Sequence, residues 1–198
     1  MRVAVAVSGR GSNLEALLDA LGDGREARVV LVLSNRADAP ALERARSRGI
    51  ATAVLADHRS APEWLDLLER HGADLLVLAG YLKLVPPGVI SRHRGRVLNV
   101  HPALLPAFGG PGMYGHRVHE AVLASGASES GCTVHLVDEE YDRGAILGQR
   151  RVPVLPGDTP ETLAARVLRE EHRILPAAVL AAARAGKPVP LETRQATT

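Results

Sequence analysis

Cysteine and aromatic residues are scarce in this 198-residue chain, which has one cysteine, Cys132, and an aromatic content of 3%. One cysteine cannot form a disulfide within the chain, and no Cys–His spacing matches a zinc motif. We therefore expect a reducing, cytoplasmic setting and no metal site. The scarcity of aromatic residues leaves Ala, Val and Leu to fill the core.

Net charge and long apolar runs are also lacking. The formal net charge is +2, which is too small to indicate nucleic acid or a membrane surface as the main partner. No stretch approaches the roughly 18 consecutive apolar residues of a membrane helix, and the first apolar run is too short for a signal peptide. Length and composition are ordinary for a soluble globular protein, so we expect one domain over residues 1–198.

The first hundred residues alternate between short apolar runs and segments with helical spacing. Strands are predicted at 3–7, 29–33, 50–55, 75–79 and 96–100, with helices among them at 14–21, 40–48 and 62–71. This alternation favours right-handed crossovers and a parallel sheet.

The pattern changes after residue 100. A glycine-rich loop at 108–115 precedes a predicted helix at 118–124, strands at 132–137 and 145–154 that can pair as a hairpin, and a last helix from 158 towards 184. The whole chain therefore predicts an α/β fold: a Rossmann-like, mostly parallel sheet with helices on both faces and an antiparallel C-terminal hairpin. The tail through Thr198 is predicted to be a short extension.

The segment 97–106, VLNVHPALLP, carries two polar residues at the end of a predicted buried strand. Asn99 and His101 are two residues apart, so their side chains are expected on one face of the strand. An amide donor beside an imidazole could stabilise an oxyanion and move a proton. The alternative is that both residues satisfy backbone groups at a strand end.

The segment 8–14, SGRGSNL, joins the first strand to the first helix. Backbone N–H groups at a helix start attract phosphate, and Ser12 and Asn13 add side-chain donors beside Gly11. A dinucleotide fingerprint would need a third glycine where Leu14 stands and an acid after the second strand. The turn therefore predicts a single terminal phosphate; the alternative is a tight turn that caps a helix.

The turn 138–144 carries four acids, any of which could face His101 and raise its pKa. Sequence alone does not choose among them, and a solvated hairpin tip is the alternative. Four histidines, at positions 116, 119, 135 and 172, match no zinc motif and are interpreted as surface or structural residues.

Six segments occur together in an order that resembles phosphoribosylglycinamide formyltransferase, a folate-dependent family. They are SGRGSNL at 8–14, SN with ADA at 34–39, LAGY at 78–81, LNVHPALLP at 98–106, GCTVH at 131–135 and DRGAILGQ at 142–149. The resemblance extends from Val3 to about Pro176.

The resemblance implies formyl transfer from 10-formyltetrahydrofolate to the amino group of glycinamide ribonucleotide in purine (IMP) biosynthesis. It implies that Asn99, His101 and Asp142 form the catalytic trio, with Asp142 raising the pKa of His101 and organising water. No metal is implied.

The resemblance also implies the binding residues. The nucleotide is expected at Gly11, Ser12, Asn13 and Glu171, and the folate at Arg59, Leu82, Lys83, Leu84, Val85, Asp138 and Tyr141. In this interpretation, residues 1–100 form the nucleotide-binding half and 101–198 the folate-binding and catalytic half. The protein is expected to be a monomer or homodimer.

Three alternatives remain. A tRNA formyltransferase is expected to carry a further C-terminal RNA-binding domain, and a formyltetrahydrofolate deformylase an extra N-terminal regulatory domain. The third is a non-catalytic Rossmann nucleotide-binding module, which the missing third glycine and missing acid disfavour.

Overall fold

A seven-stranded sheet organises the protein in a computed structural model, which describes residues 1–191. The strands are β1 (Arg2–Val7), β2 (Arg28–Ser34), β3 (Ala51–Val54), β4 (Leu75–Leu78), β5 (Val97–His101), β6 (Glu129–Leu136) and β7 (Ile146–Pro153). Their order across the sheet is β3-β2-β1-β4-β5-β6-β7. The predicted extension through Thr198 lies outside the described residues from 192 onwards.

Strands β1 to β5 are mutually parallel, whereas β6 is antiparallel to β5 and β7 is antiparallel to β6. The predicted mostly parallel sheet with an antiparallel C-terminal hairpin is therefore confirmed. After β1 the chain adds β2 and β3 on one side of that strand, and then crosses over to add β4 on its other side. Ligands of open α/β sheets bind at such a switch point, outside the carboxyl ends of the strands.

Six helices connect or follow the strands. They are α1 (Ser12–Leu21), α2 (Pro40–Ser47), α3 (Ala61–Arg70), α4 (Pro87–Arg92), α5 (His116–Ala124) and α6 (Pro160–Ala185). Helix α6 begins after the N-cap Thr159, continues through Pro176 and ends at Gly186, whose φ of 71° suits glycine. No helix in the described part of the chain is long and apolar enough to cross a membrane.

Alternate residues of β1 point to opposite faces of the sheet and pack in two separate hydrophobic cores. Val3, Val5 and Val7 pack on the face covered by α1, α2 and α6. Ala4 and Ala6 pack on the opposite face, where Trp64 of α3 is fully buried. Both faces are therefore covered by helices, as the uninterrupted apolar runs predict for parallel strands.

Candidate active site

A cavity of about 780 Å³ opens at the carboxyl ends of β1, β4 and β5. One end is formed by the turn before α1, the centre by Asn99 and His101, and the other end by residues 82–85 and 137–142. A cavity of this size is typical of a small-molecule site. It lies at the switch point between β1 and β4 and draws residues from both halves of the chain.

The turn before α1 has a shape that only glycine accepts. Gly11 has a φ of 80°, and a Cβ there would lie 2.5 Å from the Cβ of Ala41. The close approach of α2 therefore fixes the turn, and Gly11 shapes the cavity without lining it. Ser12 and Asn13 do line it, at the N-terminus of α1, where unpaired N–H groups favour an anion.

Asn13 and Glu171 meet across this end of the cavity. The Asn13 Nδ2 donates to Glu171 Oε2 at 2.6 Å, and the two side chains come from α1 and α6. Burial raises the pKa of Glu171, and the hydrogen bond from Asn13 offsets this only in part. The structure thus brings together the residues predicted for the nucleotide.

Ser8 anchors the opposite wall. Its Oγ donates to Asn35 Oδ1 at 2.7 Å and accepts from the backbone N of Leu82 at 3.0 Å. The hydroxyl therefore joins the ends of β1 and β2 to the segment 82–85. All four residues of that segment line the cavity, with Leu82 and Leu84 exposed at its rim and Val85 buried.

His101 is buried at the end of β5, in the centre of the cavity. Its Nε2 donates to the carbonyl of Phe108 at 2.8 Å, and its Nδ1 lies 3.6 Å from Asp142 Oδ2. Burial lowers the pKa of His101, and Asp142 raises it by a smaller amount. Asp142 therefore raises the pKa of His101 as predicted, but burial lowers it by more, so the pKa of His101 lies below its usual value.

Asp142 is the acid of the 138–144 turn that reaches His101. Its Oδ2 accepts from the backbone N of Gly110 at 2.9 Å, and its Oδ1 lies 3.5 Å from His135 Nε2. Burial would raise the pKa of Asp142, but the nearby His101 and the backbone N–H of Gly110 hold it below its usual range. The carboxylate is therefore ionised and ties the glycine-rich loop to the surroundings of His101.

A hydrogen-bond network fixes the turn that follows β5. The buried Thr133 Oγ1 donates to Ala103 O at 2.6 Å and accepts from Leu105 N at 3.1 Å. Gln149 Nε2 donates to the same hydroxyl at 3.0 Å and to Leu105 O at 2.9 Å. The antiparallel strands β6 and β7 thus hold the chain in place after His101.

Three histidines interpreted above as surface or structural residues line the cavity: His116, His119 and His135. His135 contacts Asn99 and Asp142. His119 is buried, and burial is the main reason why its pKa is lowered to about 4. His135 lies directly opposite Asn99 in the β5–β6 pairing. A predicted pairing of these strands could have found it, because cross-strand partners face the same side of a sheet.

Two arginines, Arg59 and Arg143, lie outside the cavity. Arg59, predicted at the folate, occupies the turn before α3, where its backbone N donates to Asp57. The side chain of Arg143 is exposed, and its Nε lies 3.2 Å from Glu140 Oε2. Arg143 therefore points away from the carboxylate of Asp142. Within residues 1–191, no group of three His, Cys, Asp or Glu side chains could hold a metal ion.

A family model described as formyl transferase matches residues 1–179. The chain belongs to the formyl transferase family. The chain is 49% identical over 181 residues to the chloroplastic phosphoribosylglycinamide formyltransferase of Arabidopsis thaliana, an alignment that covers 87% of this chain and 62% of that protein. It is 41% identical over 183 residues to phosphoribosylglycinamide formyltransferase of Escherichia coli strain K12, covering 89% of this chain and 84% of that one.

A solved structure supports the same family assignment. The crystal structure of glycinamide ribonucleotide transformylase 1 from Symbiobacterium toebii matches with a TM-score of 0.86 and 42% identity, over 93% of this chain and 88% of that chain. The chain spans 62% and 58% of the lengths of the two plant relatives, from Arabidopsis thaliana and Vigna unguiculata.

Proposed function

We propose that this protein transfers a formyl group from 10-formyltetrahydrofolate to the amino group of glycinamide ribonucleotide, a step of purine (IMP) biosynthesis. The observation that carries the proposal is the convergence of Asn99, His101 and Asp142 in the middle of one cavity. The names of the relatives favour this reaction over other formyl transfers. A dinucleotide-binding module is disfavoured because the residue directly after β2 is Asn35, which is bonded to Ser8, and not an acid.

The two ends of the cavity fit the two substrates. The start of α1 offers backbone and side-chain donors to a phosphate, and Glu171 offers an acceptor to the rest of the nucleotide. The other end has an apolar wall, formed by Leu82, Leu84 and Val85, opposite the acidic turn 138–142. The apolar wall suits a flat heterocyclic ring, and the turn adds polar groups at its edge. Both substrates would then meet at His101.

The chemistry needs positioning, an oxyanion partner and a proton acceptor. The substrate amine attacks the formyl carbon, a C–N bond forms, and the carbonyl oxygen takes the negative charge. Asn99 donates to that oxygen, and His101 moves the proton from the attacking nitrogen to the leaving nitrogen as the original C–N bond breaks. A neutral His101, which burial favours, can accept that proton at Nδ1, because its Nε2–H already donates to the carbonyl of Phe108.

Asp142 supports His101 rather than reacting itself. The 3.6 Å between Nδ1 and Oδ2 is too long for a direct hydrogen bond, and a water molecule can bridge such a gap. The carboxylate stabilises the imidazolium that forms when His101 takes a proton. Asp138 and Tyr141, from the same turn, line the folate end, and their binding role is part of this proposal.

The test is a formyl-transfer assay with 10-formyl-5,8-dideazafolate and glycinamide ribonucleotide, in which the deformylated product is followed by absorbance. We expect turnover only with both substrates, and a loss of about 10²- to 10⁴-fold in His101→Ala. His58→Ala, outside the cavity, is the control of matched residue type. Deformylation without the nucleotide would indicate a hydrolase, and binding of both ligands without turnover would refute the enzyme assignment.

Partners and location remain part of the proposal. We expect small-molecule substrates, no nucleic acid or membrane partner, and a monomer or homodimer. The cytoplasm is the proposed location, while the plant relatives are named chloroplastic. The division of the chain at residue 100 into a nucleotide half and a folate half stays a prediction. The proposed binding residues do not follow it strictly, because Glu171 of the nucleotide site lies in the second half and Leu82 of the folate site lies in the first.

A further inference from the structure

His135 occupies a position from which it contacts two members of the catalytic trio. It is 1% exposed and lies opposite Asn99 across the β5–β6 pair. Its Nε2 is 3.0 Å from Asn99 Nδ2 and 3.5 Å from Asp142 Oδ1, and its Nδ1 is 2.7 Å from the carbonyl of Leu136.

The bond to Leu136 decides where the ring carries its proton. A carbonyl oxygen only accepts, so Nδ1 must be the N–H donor at 2.7 Å. A neutral ring then has a lone pair on Nε2. That nitrogen cannot donate to Asp142 while the ring is neutral, and its 3.0 Å partner is the amide of Asn99.

The lone pair in turn decides which way the Asn99 amide faces. Asn99 Nδ2 donates one N–H to His135 Nε2. In the flipped orientation, Asn99 Oδ1 would face the lone pair, two acceptors would lie in contact, and a buried hydrogen bond would be lost. The observed orientation leaves the second N–H of Asn99 for a group in the cavity.

We propose that His135 is a positioning residue, whose neutral Nδ1–H form holds the Asn99 amide so that its second N–H points to the oxygen of the reacting carbonyl. This inference rests on the formyl transfer proposed above. Removing one oxyanion donor costs about 10²- to 10³-fold in turnover. Loss of its orientation should cost less, about 10- to 100-fold, since part of the population still presents an N–H.

Two substitutions separate this role from packing. His135→Phe keeps a flat ring but removes the lone pair, whereas His135→Gln can place an acceptor oxygen near the position of Nε2. We expect His135→Phe to lower kcat by about 10- to 100-fold with KM within about twofold, and His135→Gln to recover most of the loss. A rise in KM alone, or a Gln variant no better than Phe, would overturn the inference.

A double-mutant cycle identifies Asn99 as the route of the effect. In an Asn99→Ala background, His135→Phe should lower kcat by less than about threefold, because the donor that it orients is already gone. A full additional loss in that background would contradict the proposal. Thermal unfolding of each variant identifies any that fail to fold.

Nuclear magnetic resonance of the unmodified protein tests the geometry without any turnover. Long-range ¹H–¹⁵N spectra of the histidine rings should show His135 with a proton on Nδ1 and none on Nε2. A proton on Nε2, alone or together with one on Nδ1, would overturn the inference even in an active enzyme. An inactive protein with the expected spectrum would instead refute the proposed function and leave the His135–Asn99 geometry standing.

Discussion

Glu171→Gln should make the protein more stable, although it alters a residue of the proposed nucleotide site. The carboxylate is 7% exposed, and within residues 1–191 its one hydrogen-bond donor is Asn13. Burial of a carboxylate at such a site costs on the order of 4 kcal/mol. One hydrogen bond to a charged group returns about 2 kcal/mol.

The ionised side chain therefore costs the folded protein about 2 kcal/mol, which an amide avoids while its oxygen still accepts from Asn13. In a protein of this length, that difference corresponds to a rise in Tm of about 4–8 °C. The substitution should also weaken nucleotide binding, so stability and function change in opposite directions at this position.

The stability gained by Glu171→Gln should increase as the pH rises. Burial raises the pKa of Glu171 above its ordinary 4.5, so the folded state holds this proton more tightly than the unfolded state does. The stability contributed by the protonated form is complete below that ordinary pKa and is lost as pH rises through the folded pKa. Glu171→Gln and the wild-type protein should thus be equally stable in acid and diverge towards alkaline pH.

Thermal unfolding followed by circular dichroism, from about pH 4.5 to about pH 8, measures this divergence. Glu120→Gln, at an exposed position of α5, is the matched control and should change stability by less than about 0.5 kcal/mol. A destabilised Glu171→Gln variant, or a gain that is the same at every pH, would refute the reasoning.

Three further predictions follow from the site. Asp142→Asn should lower the pKa of His101 further, because the carboxylate that raises it is gone; an NMR titration of His101 with an unchanged or higher midpoint would contradict this. Thr133→Val should cost about 2–3 kcal/mol in urea unfolding, since it leaves buried groups of the turn after β5 unpaired. Gly144→Ala should cost at least about 2 kcal/mol and reduce turnover, because a Cβ there would lie 1.8 Å from the carbonyl of Leu136; near-normal stability would show that the hairpin can open there.

The sheet could be predicted because its signals are local. The run Val3–Val7 is buried on both faces, as a strand with helices on either side requires. Helix α4 was not predicted, because six residues that begin Pro-Gly carry too little periodicity. The boundaries of the other elements differ from the prediction by only a few residues.

The site was less predictable, because its geometry depends on distant contacts. The spacing of Asn99 and His101 indicated a shared face, but the choice of Asp142 among four acids depends on the fold of the 138–144 turn. His135 has no motif of its own and acquires its role from the register of β5 against β6. The direction of the His101 pKa depends on burial, which a sequence does not display.

The pairing of Asn13 with Glu171 also constrains how the protein is made. The two residues are 158 positions apart, and α6 is synthesised after every strand of the sheet. A nascent chain that has completed all seven strands therefore still lacks one wall of the nucleotide end. The proposed nucleotide site is complete only after α6 has docked, so binding there can stabilise the finished chain but not a nascent chain that lacks this helix.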